Sequence, residues 1–65
     1  MSLAQNLAKY RKQMNYTISD LSERADVAVG YICDLENGKK ENPSLEYLNR
    51  LATALETNVS ELLKN

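Results

Sequence analysis

Between Leu21 and Gly38 the chain has few backbone paths open to it. Leu21, Ala25, Val27, Ile32 and Leu35 are spaced to put the apolar residues of two short helical segments on a shared inner side. Ala25 is small enough to let the two backbones approach closely, and Asp26 falls where the chain must turn. A positive φ is expected at Asp26. Glycine adopts that conformation without steric cost, and Asp is among the few other residues that visit it. Asn37-Gly38 then closes the second segment.

The flanking sequence reads as helix throughout, giving five helices and no strand. Leu3, Leu7, Tyr10 and Met14 recur at spacings of one amphipathic face, so the first helix is expected over roughly Ser2 to Met14. Asn15 follows, a residue that tolerates the left-handed conformation ending a helix. Thr17 is a good N-cap with Asp20 three residues on, opening a second helix over Ile18 to Ala25. The third is expected over Val29 to Glu36. Beyond a polar loop from Lys39 to Pro43, Ser44 caps a fourth helix whose buried stripe is read as Leu45, Leu48, Leu51, Ala52 and Leu55. Asn58 caps the last, with Glu61 in capping-box spacing. Val59, Leu62 and Leu63 are its apolar residues.

Composition removes several classes of function. A chain of 65 residues has room for one domain, expected to fill residues 1–65. With no histidine and one cysteine there is no Ser-His or Cys-His pair, no internal disulfide and no ordinary zinc site. Two glycines leave no phosphate-binding loop. Neither an enzyme nor a cofactor is expected. No apolar run is long enough to span a membrane, no signal peptide is read, and a lone thiol fits the cytoplasm. The net charge of −1 conceals an uneven distribution. Lys9, Arg11 and Lys12 lie in an N-terminal stretch without acids, and Lys39 and Lys40 follow the third helix. A basic patch from these two segments is the footprint expected of a nucleic-acid partner; charges scattered by chance are the plain alternative.

Two short helices at a tight turn form the helix-turn-helix arrangement, whose usual use is to place its second helix in the major groove of DNA. The chain further resembles the Cro/phage-repressor type of helix-turn-helix, also called the XRE family, from Leu3 to Leu63. Its marks are Leu21 through Ala25 and Val27, Tyr31-Ile32, Leu35-Glu36-Asn37-Gly38-Lys39, Asn42-Pro43-Ser44-Leu45-Glu46, Leu51-Ala52-Thr53-Ala54-Leu55 and Glu61-Leu62-Leu63. The resemblance implies an all-α, compact five-helix bundle with the third helix as recognition helix. It implies a transcription regulator that binds double-stranded DNA as a homodimer, and an ion pair between Arg11 and Glu36. An Arg–carboxylate pair of this kind locks two helices at a fixed angle.

The sequence departs from the family pattern where bases would be read. Ile18 stands where members commonly carry glutamine. The recognition face is Ala28, Val29, Gly30, Cys33 and Asp34, with few hydrogen-bonding groups. Ala28 is a poor N-cap and Gly30 weakens the first turn, each by about 1 kcal/mol. Such choices make sense where a helix N-terminus must approach another backbone closely. Three readings of this face stay open: groove readout through thymine methyls and a cytosine amino group, the centre of a protein interface, or a tolerated surface of a weakly specific binder. Phosphate contacts are expected from Thr17, Tyr31, Asn37, Lys39 and Lys40, with plain packing the alternative for Tyr31 and a plain C-cap for Asn37. Cys33 beside Asp34 is an ordinary surface residue rather than a redox sensor. The dimer surface is expected at Tyr47, Leu62 and Leu63. The second functional reading is a protein-interaction module, an antitoxin or accessory factor with a weakened DNA face.

Overall fold

A computed structural model describes residues 2–65. Five helices follow one another: α1 (Leu3–Gln13), α2 (Ile18–Ala25), α3 (Val29–Glu36), α4 (Leu45–Ala54) and α5 (Val59–Leu62). There is no strand among the described residues. The helices pack around one core of Leu7, Leu21, Ala25, Val27, Ile32, Leu35, Leu51, Ala52, Leu55 and Leu62. Leu3, Tyr10, Met14, Tyr16 and Ile18 are partly buried against its edge, so Ile18 extends the core. No described helix is long and apolar enough to cross a membrane.

Local chemistry explains the boundaries. The Ser2 hydroxyl accepts from the Gln5 amide, and the Gln5 side chain accepts from the Ser2 amide, a complete capping box. Thr17 and Asp20 do the same for α2. Ser44 and Asn58 accept from the amides of Tyr47 and Glu61. The first four helices end alike. Asn15, Asp26, Gly38 and Glu56 all have φ between 56° and 76°, the left-handed conformation. After each of α1 to α4 the next residue's amide returns to a carbonyl five positions back: Tyr16 to Arg11, Val27 to Ser22, Lys39 to Asp34 and Thr57 to Ala52. These are Schellman terminations.

Two expectations need correction, at Leu45 and Leu62. Leu45 does not belong to the buried stripe of α4; it is 66% exposed, at the helix's first position beside an open groove shared with Arg24 and Arg50. Leu62 is fully buried, pinned in the core between α1 and α4, and has no surface to offer a second copy. Tyr47 is half-buried because its ring packs against Tyr31. Of the three residues expected at a dimer surface, Leu63 alone is well exposed, at 52%.

One polar residue inside the core was not foreseen. Asn6 is buried on the inner face of α1, and its amide nitrogen donates to the carbonyls of Leu62 at 2.9 Å and Lys64 at 2.6 Å. The Leu62 carbonyl ends α5 and the Lys64 carbonyl lies two residues beyond it, so neither has a partner within the helix. Asn6 thus ties the first helix to the last. Its place beside Leu3, Leu7 and Tyr10 in the helical period was the available signal.

Candidate nucleic-acid interface

The helix-turn-helix is formed by α2 and α3. Asp26 makes the turn with φ 56°, and the Val27 amide reaches back to the Ser22 carbonyl. The Ser22 hydroxyl donates to the Val27 carbonyl at 2.6 Å, closing the turn from the other side. Val27 is buried directly after the turn, which fixes where α3 must begin.

The first turn of α3 is open. Ala28 precedes it with extended backbone and makes no side-chain cap. Ala28, Val29 and Gly30 are all exposed, Val29 at 42%. A Cβ added at Gly30 would meet no atom within 4 Å, so nothing inside the protein requires glycine there. Further along the same helix Cys33 and Asp34 are half-buried. The expected reading face is therefore graded, exposed at its N-terminal turn and partly covered beyond it.

The other end of α3 is anchored. The Arg11 guanidinium donates from Nε and Nη2 to the two Glu36 carboxylate oxygens, at 2.7 and 3.0 Å. Its Nη1 donates to the Tyr16 carbonyl at 2.8 Å. One side chain thus joins α1, the α1–α2 loop and α3. The hydrogen bonds to Glu36 raise the Arg11 pKa beyond its already high value, against a smaller opposing effect of burial. The pair also takes Arg11 out of the free basic patch. Lys9, Lys12, Lys39 and Lys40 remain, exposed and without an ion-pair partner among the described residues.

The residues expected at phosphates fall into two groups. Asn37, Lys39 and Lys40 are exposed just past α3, and the backbone amides of both lysines bond to the Asp34 carbonyl, at 2.8 and 3.3 Å. Their positions are fixed to the recognition helix. Thr17 is exposed at the start of α2, but its hydroxyl already accepts from the Asp20 amide. Tyr31 is half-buried, with its ring 4.8 Å from that of Tyr47 in a T-shaped pair and the Lys40 ammonium 5.4 Å from its centre. Arg50 in α4 completes this neighbourhood. It donates to the Asp26 carbonyl in the turn at 3.0 Å and to Glu46 at 2.6 Å. Neither the tyrosine pair nor the Arg50 link to the turn leaves a trace in the sequence, because both join residues far apart in the chain.

A model of the helix-turn-helix family matches residues 7–62. The transcriptional regulator SinR of Bacillus subtilis is 34% identical over 94% of this chain. The match takes in 55% of SinR, so the chain spans about half the length of that curated relative. A crystal structure of SinR in complex with DNA superposes with a TM-score of 0.93 at 34% identity, covering 95% of this chain and 98% of that one. The restriction-modification controller protein C.AhdI of Aeromonas hydrophila superposes with a TM-score of 0.88 at 28% identity, covering 94% of this chain and 91% of its own.

Proposed function

Since this chain belongs to the helix-turn-helix family, we propose that it is a DNA-binding transcriptional regulator rather than an enzyme, acting in the cytoplasm. Helix α3 enters the major groove of an operator by its N-terminal turn, with Ala28, Val29 and Gly30 nearest the bases and Cys33 and Asp34 at the margin. Asn37, Lys39 and Lys40 hold the phosphate backbone, assisted by Tyr31 and by the N-terminus of α2 at Thr17. Residues 1–65 work as one DNA-binding domain. A second copy completes the operator contact by two-fold symmetry, through the α5 end where Leu63 is exposed.

The observation that carries this reading is the pairing of an open, uncapped first turn on α3 with two unpaired lysines fixed at its other end. Support comes from the SinR structure, a close superposition solved in complex with DNA. Apolar side chains at the tip recognise thymine methyl groups and groove shape more than hydrogen-bond patterns, so discrimination between sequences is modest.

Binding to random-sequence duplex DNA over a series of salt concentrations tests the proposal. The expected result is roughly micromolar affinity at low salt that falls steeply as salt rises. A Lys39→Ala/Lys40→Ala double variant makes the slope of log K against log salt shallower by about two for each bound copy. Absence of binding at low salt overturns the reading and leaves the α3 face to a protein partner.

A further inference from the structure

Four side chains, from α3, α4 and the loop beyond α3, follow one another in contact. The Lys40 ammonium sits 5.4 Å from the centre of the Tyr31 ring. The Tyr31 ring meets that of Tyr47 at 4.8 Å and 81°. The Arg50 guanidinium lies over the Tyr47 ring, 5.4 Å from its centre. Arg50 is itself held by the Asp26 carbonyl and by Glu46. The row runs from the turn through α4 and α3 to the loop beyond α3, alternating cation and ring at its ends around an edge-to-face pair. Each junction has the geometry in which an aromatic quadrupole attracts its neighbour.

A lysine on a polar loop normally samples many rotamers, and a phosphate contact must freeze them. Lys40 differs, because its backbone amide is fixed to Asp34 and its ammonium rests over a ring. We propose that Tyr47 and Arg50 are positioning residues that act through Tyr31 to hold Lys40 ready for a DNA phosphate. The inference rests on the DNA-binding reading above. Tyr47 and Arg50 touch no DNA in this scheme; Tyr47 steadies the Tyr31 ring, and Arg50 steadies Tyr47 against the turn. This gives Tyr47 a role within the DNA-binding unit rather than at a surface between copies.

The test is a double-mutant cycle on binding to random-sequence duplex at low salt, using Tyr47→Leu, Lys40→Ala and the combination. Leucine keeps an apolar side chain at position 47 and removes the ring. Tyr47→Leu is expected to weaken binding about fivefold in the native background and clearly less once Lys40 is alanine, when only the contribution of Tyr31 itself remains. Tyr47→Phe keeps the ring edge and is expected to bind like the native chain. Arg50→Gln should follow Tyr47→Leu with a smaller loss. In the free protein, the ring current of Tyr31 shifts the Lys40 ε-methylene protons upfield, and Tyr47→Leu moves them toward ordinary lysine values. Equal losses from Tyr47→Leu in both backgrounds, or none in either, overturn the proposal and leave the row as packing. A native chain that fails to bind duplex at all removes the DNA reading itself, a result separate from any difference between the variants.

Discussion

At its C-terminal end α3 is tied down by the two-pronged contact of Glu36 with Arg11, by Gly38 in the left-handed conformation, and by two amides returning to the Asp34 carbonyl. At its N-terminal end Ala28 offers no cap, Gly30 lacks a side chain for which there is open space, and Val29 points into solvent. The neighbouring helix α2 is the same length and opens with a complete Thr17–Asp20 capping box. The open turn of α3 is therefore local to that helix. The anchored end sets the direction of α3 against α1, and the open end presents small side chains and an accessible backbone. A surface optimised for stability alone would carry Ser at position 28 and Ala at position 30.

Removing the anchor has the largest effect. Glu36→Ala leaves the largely covered Arg11 guanidinium without its carboxylate and is expected to cost about 3 kcal/mol. That is most of what a core of this size supplies. Urea unfolding followed by circular dichroism should show the cooperative transition lost or moved to very low denaturant. A loss below about 0.5 kcal/mol, the level of an ordinary surface substitution, would break the contrast between the two ends.

Gly38→Ala tests the termination at the same end. Its φ of 76° is one that L side chains adopt at a cost of about 1 kcal/mol, so Tm should fall by about 4–8 °C. The opposite sign is expected at the open end. Gly30→Ala adds a methyl group that meets nothing and removes backbone freedom from the unfolded chain, raising stability by about 0.5–1 kcal/mol. Thermal melts of the two variants side by side sharpen the comparison, since the same substitution moves Tm in opposite directions. A fall in Tm for Gly30→Ala would mean that the open turn serves the fold.

The smallest effect is that of acid on α2. Hydrogen bonds from the Thr17 backbone and hydroxyl hold the Asp20 carboxyl below its ordinary value of 3.8, with the nearby Arg24 charge a lesser contribution. A group with a depressed folded pKa contributes stability that is present above its unfolded value and is lost as pH falls through the folded one. The native chain should therefore lose the Asp20 contribution only below about pH 4, and Asp20→Asn should flatten that part of the pH profile. Melting temperatures of both proteins from neutral pH downward supply the check.

What the sequence revealed follows from the range of the interactions involved. The Asp26 and Asn15 conformations were legible because these residues carry their own preference for the left-handed region. Glu56 adopts φ 57° without such a preference, and the buried Leu55 before it and α5 after it set that turn. Helix boundaries followed from caps that act over three residues. Leu45 and Leu62 were misplaced for a common reason: periodicity identifies the apolar face of a helix but not which part of that face a neighbour covers. Leu45 overhangs at the start of α4, whereas Leu62 is reached by the core. At the candidate interface, the open face of α3 and its flanking lysines were readable as side-chain types. The capture of Arg11 by Glu36 came through the family resemblance, and the Tyr31–Tyr47 contact depends on how α3 and α4 are placed together.

The most direct test of the account is to follow the backbone amide resonances of the native chain as short duplex DNA is added at low salt. The largest shifts are expected at residues 28–34 and 37–40, with smaller ones near Thr17 and, as a second copy assembles, around Leu63. Shifts centred on the groove beside Leu45, or no shifts at all, would contradict the assignment of the open end of α3 to DNA.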